Sequence, residues 1–119
     1  MLDSELIPLV AARFRVLGEA GRLAILAALQ SGEKSVGALA KATGRSQPNV
    51  SQHLSSLARA GLVVPRRDGN RVFYRTADPY VARICRVVCD SLALRARRES
   101  RWLRGLRRGA RNRTGGEQE

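Results

Sequence analysis

The chain has 119 residues, 44% of them apolar but only 4% aromatic, and carries 22 Lys+Arg against 10 Asp+Glu for a formal charge of +12. That length supports one domain around a modest aliphatic core, and no apolar run is long enough to cross a membrane. Two cysteines make no disulfide framework, and the acidic opening "MLDSELIPLV" lacks the basic start of a secretory signal, so the cytoplasm is the expected compartment.

In chain order, the first helix is expected over Glu5 to Leu17, with Leu6, Leu9, Val10, Phe14 and Leu17 at helical spacing, and Gly18 stops it. A second helix follows over Ala20 to Leu29 with Leu23, Ile25, Leu26 and Leu29. Ser35 then caps a short helix, "SVGALAKAT", that Gly44 closes. Ser46 caps the next, whose Pro48 is tolerated in a first turn where the missing N–H has no partner. This helix runs to Ala60 before Gly61. Two β-branched or aromatic runs, "LVVPRR" and "RVFYRT", are joined by "DGN" and predict a hairpin. Pro65 confines the first run to an edge.

From Asp78 the helical pattern returns through Val81, Ile84, Cys85, Val88 and Leu92, and it can continue into "LALRARRESRWLRGL". Gly105, Gly109 and the polar end predict a break. The expected organisation is therefore a mainly α domain over residues 1–104 and a basic, disordered tail over 105–119. Half of the positive surplus lies in the short segment after residue 94, which holds nine arginines against three glutamates. Surplus of this kind attracts polyanions, nucleic acid first.

The middle of the chain predicts a winged helix-turn-helix, in the order ααα-α-ββ-α. In that motif the second helix of the pair enters the major groove and reads base edges from its N-terminal part. The stretch "SQPNVSQHLSSL" suits such a helix, because Val50, Leu54 and Leu57 form one inward stripe and the outer face is uncharged Gln, Asn and Ser. Such side chains pair with base edges, whereas arginines hold phosphates without reading sequence. Gln47, Asn49, Ser51 and Gln52 are the expected base contacts. Ser46, Ser55 and Arg59, with Arg66, Arg67, Arg71 and Arg75 of the wing, are expected along the backbone. His53, at the boundary of the buried stripe, is assigned to packing or a phosphate.

The stretches "GRLAIL", "SVGALA", "SQPNVSQHLSSLARAGLV" and "RRDGNRVFYR" together resemble the ArsR/SmtB family over about residues 14–79. The resemblance implies a homodimer through the first and last helices, operator DNA as partner, and usually an inducer that releases it; two reading helices one DNA turn apart then demand a roughly palindromic site. Family members place sensing cysteines in the third helix, but "EKSVGALAKA" has none. Others use Asp and His along the last helix; here Asp78 is retained while Tyr80 and Ser91 stand where imidazoles are expected. What remains is Cys85 and Cys89, four residues apart on one face. They are open to three readings: a transition metal or metalloid site, a redox pair, or packing of two small apolar groups.

A general nucleic-acid-binding protein, of chromatin or RNA type, driven by the arginine-rich end is the alternative function. One histidine, no glycine-rich phosphate loop and no zinc motif argue against an enzyme.

Overall fold

The computed structural model describes residues 3–116, with side chains described up to 109. Five helices and three short strands follow in order: α1 (Ile7–Leu17), α2 (Ala20–Leu29), β1 (Lys34–Ser35), α3 (Val36–Thr43), α4 (Gln47–Arg59), β2 (Val63–Asp68), β3 (Arg71–Thr76) and α5 (Tyr80–Gly116). They divide into a body that ends at Ala82 and a second unit, the length of α5 from Arg83 onward.

Three of the body's helices start on side-chain caps that satisfy otherwise unpaired N–H groups. Glu19 accepts from the Arg22 N–H at 3.0 Å, Ser35 from Ala38 at 3.1 Å and Ser46 from Asn49 at 3.3 Å. The core is aliphatic, as the shortage of aromatic residues requires. Ile25 and Leu39 meet Val50, Leu54, Leu57 and Leu62, all with no solvent exposure, and Val81 seals it from the first turn of α5. No described polar side chain is fully buried, so nothing in this core has to be satisfied by an internal network.

The predicted hairpin is present, and it is the larger part of a three-stranded antiparallel sheet ordered β1-β3-β2. β1 went unforeseen because its two residues, Lys34 and Ser35, carry no strand periodicity. They pair with Tyr74 and Phe73. Pro65 does lie on an edge strand, opposite Tyr74. The turn closes between Asp68 and Arg71, with positive φ (63°) at Gly69 but at no non-glycine residue. Positive φ at the first central residue is the type II′ requirement.

Two expectations need correction. The first helix begins at Ile7 rather than Glu5, with Leu6 ahead of it making no side-chain cap bond. The last helix does not break at Gly105 or Gly109 but continues to Gly116. An isolated glycine costs a helix only about 1 kcal/mol against alanine, and the leucines and arginines around it are good helix formers. Of the tail expected over 105–119, residues 117–119 lie outside the described residues.

Candidate nucleic-acid interface

α4 presents two unlike faces. Val50, Leu54 and Leu57 are buried, while Gln47, Pro48, Ser51, Gln52, Ser55 and Arg59 are exposed. Beside the outer face lies an open depression of about 540 Å³, lined by Ser51, Gln52, His53, Ser56 and Arg59 of α4 and by Arg22 of α2. Arg59 Nη2 donates to Ser56 Oγ at 3.4 Å, so the two share one wall.

The expected base-reading residues fall into two groups. Gln47, Ser51 and Gln52 are exposed and make no described hydrogen bond through their side chains. Asn49 is half-buried, and its Oδ1 accepts from Arg45 Nη1 at 3.2 Å. Arg45 thus orients the Asn49 amide, which keeps a second lone pair and its NH₂, whereas the amides of Gln47 and Gln52 are not held in this way. Ser46, expected along the backbone, spends its oxygen as the helix cap.

Arg45 belongs to a cluster that sequence spacing does not reveal. His53 Nε2 stands 3.5 Å from Glu19 Oε2, and a Cβ on Gly21 would lie 2.7 Å from that nitrogen and 2.8 Å from Arg45 Nη1. The N-terminal turn of α2 thus approaches α4 so closely that only glycine fits at 21 without displacing a side chain. The Glu19 carboxyl is held below its ordinary value of 4.5, chiefly by the Arg22 backbone N–H and then by the charges of His53 and Arg45. His53 is thus a partner of the α2 cap, and it also lines the depression beside α4.

The wing's arginines are not equivalent. Cross-strand pairing puts Arg66, Arg71 and Arg75 on one face of the hairpin and Arg67 on the other. Arg66 is clamped: its Nε donates to both oxygens of Glu33 at 3.1 Å and its Nη2 to Oε1 at 2.6 Å. Its guanidinium also lies 5.0 Å from the centre of the Phe73 ring. The Arg66 fork lowers the Glu33 pKa first by hydrogen bonding and then by charge, and Glu33 in turn raises that of Arg66. Arg67, Arg71 and Arg75 remain exposed, and their guanidinium groups form no hydrogen bond or ion pair among the described residues.

At the start of α5, both oxygens of Asp78 are in use. Oδ2 accepts from Arg13 Nη1 at 2.8 Å, and Oδ1 accepts from the Tyr80 N–H at 2.8 Å. The carboxylate that the family resemblance offers as a retained metal ligand therefore ties α1 to the α5 start. In the second unit Cys85 is half-buried and Cys89 exposed, both as free thiols. Among the described residues no three His, Cys, Asp or Glu side chains are grouped to hold a metal ion.

A capped helix pair, a neutral outer face on the second helix and a basic hairpin directly after it define a winged helix-turn-helix. Known proteins agree. The family described as "Bacterial regulatory protein, arsR family" matches residues 19–64. KmtR, an HTH-type transcriptional regulator of Mycobacterium tuberculosis, is 41% identical over 83 residues, which are 70% of this chain and 64% of KmtR. The crystal structure of M. tuberculosis Rv0081 superposes with a TM-score of 0.68 at 38% identity, covering 76% of this chain and 92% of that one. A homodimeric winged helix-turn-helix DNA-binding domain from Mycobacterium bovis, solved by NMR, gives a TM-score of 0.66 at 39% identity, over 76% of this chain and 86% of that one. The chain belongs to the ArsR family of bacterial regulatory proteins. It spans a little under two thirds of the length of KmtR.

Proposed function

We propose that this chain is a sequence-specific DNA-binding transcriptional regulator, a repressor that works as a homodimer on a nearly palindromic operator in the cytoplasm. The observation that carries the reading is the pairing of faces on α4. Gln47, Ser51 and Gln52 stand exposed and uncharged over the buried Val50, Leu54 and Leu57, in a chain of charge +12. Neutral amides and hydroxyls read bases, and the surrounding arginines hold phosphates. Asn49 contributes a donor, Ser55 and Arg59 lie along the backbone, and Arg67, Arg71 and Arg75 serve as the wing's available cations.

Dimerisation is supported by exposed apolar side chains on the expected helices, Leu9 and Phe14 of α1 and Val87, Val88 and Leu92 of α5. The M. bovis relative is itself described as homodimeric. Two copies of α4 would then sit about one DNA turn apart, roughly 34–36 Å.

The releasing signal falls on Cys85 and Cys89. A metal or metalloid ion held there needs further donors from the second copy, and a thiol oxidant needs only access, which Cys89 has. Replacement of both by serine, followed by metal and oxidant titration of the DNA complex, separates sensing from packing.

One observation favours a competing reading. Arg97, Arg101, Arg104 and Arg108 recur at intervals of four, three and four along α5, an exposed basic stripe suited to any nucleic acid. Selection from random duplexes, then competition with scrambled DNA at rising salt, decides between them. A preference for one near-palindrome that persists at high salt is expected, with in vitro transcription repressed from a promoter overlapping it. Equal affinity for all duplexes would leave only the general nucleic-acid-binding role.

A further inference from the structure

The depression beside α4 contains a residue that belongs to neither the wing nor the reading helix. Arg22 reaches it from α2, a helix with no expected part in DNA contact. Its position is fixed at three points. The backbone N–H is held by Glu19 at 3.0 Å, Nη1 donates to the Val16 carbonyl at 3.2 Å, and the residue sits in the closely packed first turn next to Gly21. Nε is buried without a partner, the one such described side-chain atom in the molecule. With Nε buried and Nη1 on the Val16 carbonyl, the guanidinium is held in one orientation, and Arg22 is one of the residues that line the depression. The same hollow is lined by Arg59, whose Nη2 donates to Ser56 Oγ, and by the donors and acceptors Ser51 and Gln52. His53, which forms part of the floor, is turned to Glu19. No carboxylate lines the hollow.

Two guanidinium groups, hydroxyls and no carboxylate, in an open hollow alongside a base-reading helix, form a receptor for a tetrahedral dianion or monoanion. The hollow lies on the same face as Gln52 and Ser55, so an anion in it would sit beside the groove-facing side chains. We propose that this depression is a phosphate seat, taking one operator backbone phosphate per half-site between Arg22 and Arg59. Arg22 donates through the part of its fork not bound to Val16, and Arg59 and Ser56 close the other side. Because Arg22 is anchored to α2 rather than to α4, the seat sets the angle at which the reading helix enters the groove. A phosphate held at one fixed point and bases read a few ångströms away define register together. The seat presupposes the DNA-binding function proposed for α4.

The test uses the full chain and its selected operator, with a single neutral methylphosphonate placed in turn at every backbone position. Wild type is expected to lose about tenfold in affinity at the position facing the seat, the scale of one charge-assisted hydrogen bond. Arg22→Gln should lose a similar factor on the unmodified operator and show a smaller further loss than wild type at that one position, where Arg59 still holds the phosphate, while penalties elsewhere stay as in wild type. Its salt dependence should flatten by less than the roughly 0.9 in log–log slope that a whole lost phosphate contact gives per half-site, and the double variant Arg22→Gln with Arg59→Gln should flatten it by that full amount. Circular dichroism melting reports whether Arg22→Gln folds, and Arg59→Gln supplies a second variant with the same predicted pattern at the same phosphate. If every methylphosphonate penalty is identical in wild type and in both variants, the seat does not exist. If wild type itself shows no preferred operator, the DNA-reading proposal fails instead.

Discussion

The bidentate contact between Glu33 and Arg66 makes a sharp prediction about the wing. Sequence alone counts Arg66 among four equal phosphate-binding arginines. In the structure its Nε and Nη2 are committed to Glu33 at 3.1 and 2.6 Å, Asp68 stands 3.8 Å from Nη1, and Phe73 lies beneath the guanidinium. Two carboxylates face this guanidinium, and Arg75 also acts on Glu33 by its charge, so it is the Arg66 fork itself that is expected to be withheld from DNA. Glu33→Gln keeps the shape of the side chain and removes the charge that holds the fork. Each additional phosphate neutralised steepens the log–log salt dependence by about 0.9. Over a fourfold change in salt, from about 50 to about 200 mM, that is a further factor of about 3.5 per half-site and about 12 for two half-sites. Fluorescence anisotropy of wild type and Glu33→Gln on the operator and on a scrambled duplex measures it. Both duplexes should gain affinity at low salt, with their ratio unchanged because phosphate contacts carry no sequence information. In the wild-type background Arg66→Gln should have little effect on the slope, whereas Arg67→Gln should flatten it by about 0.9 per half-site. An unchanged slope in Glu33→Gln, or equal slope losses from Arg66→Gln and Arg67→Gln, would refute the claim that the ion pair withholds Arg66.

Other perturbations separate the remaining roles. Gln52→Ala should reduce the preference for the selected operator by about 1–3 kcal/mol and leave binding to scrambled DNA unchanged, as paired anisotropy titrations would show. Leu54→Ala removes a side chain with no solvent exposure and should cost about 2–5 kcal/mol in urea unfolding; a loss below about 1 kcal/mol would mean the α4 stripe is not core. Gly21→Ala drives a methyl to within 3 Å of His53 and Arg45, breaks the hold on Asn49, and should weaken operator binding while helix content by circular dichroism stays constant. The pKa values of Glu19 and Glu33 lie below the ordinary 4.5 in the folded state. Their contribution to stability is therefore complete above that value and is lost as pH falls through the lowered folded values. Acid unfolding of Glu33→Gln should accordingly begin with a shallower pH dependence than wild type, in a range below pH 4.5.

How far the site could be read in advance depended on the range of the interactions involved. Val50, Leu54 and Leu57 sit three and four residues apart within one helix, and their burial leaves Gln47, Ser51 and Gln52 outside by geometry alone. The caps at Ser35 and Ser46 and the turn at Gly69 are equally local, since each answers a backbone need within three residues. Those features determined the helix-turn-helix, the hairpin and the neutral outer face of α4. Tertiary contact decided the rest. Glu33 and Arg66 are 33 residues apart, Arg13 and Asp78 are 65 apart, and Glu19 meets His53 only once α2 packs on α4. None of these separations leaves a periodic trace. A positive charge can be counted in the sequence, but whether it faces DNA or a carboxylate depends on which distant side chain the fold brings beside it. That is why the Glu33 contact of Arg66, the Arg45 contact of Asn49 and the place of Arg22 beside α4 had to be read from the structure.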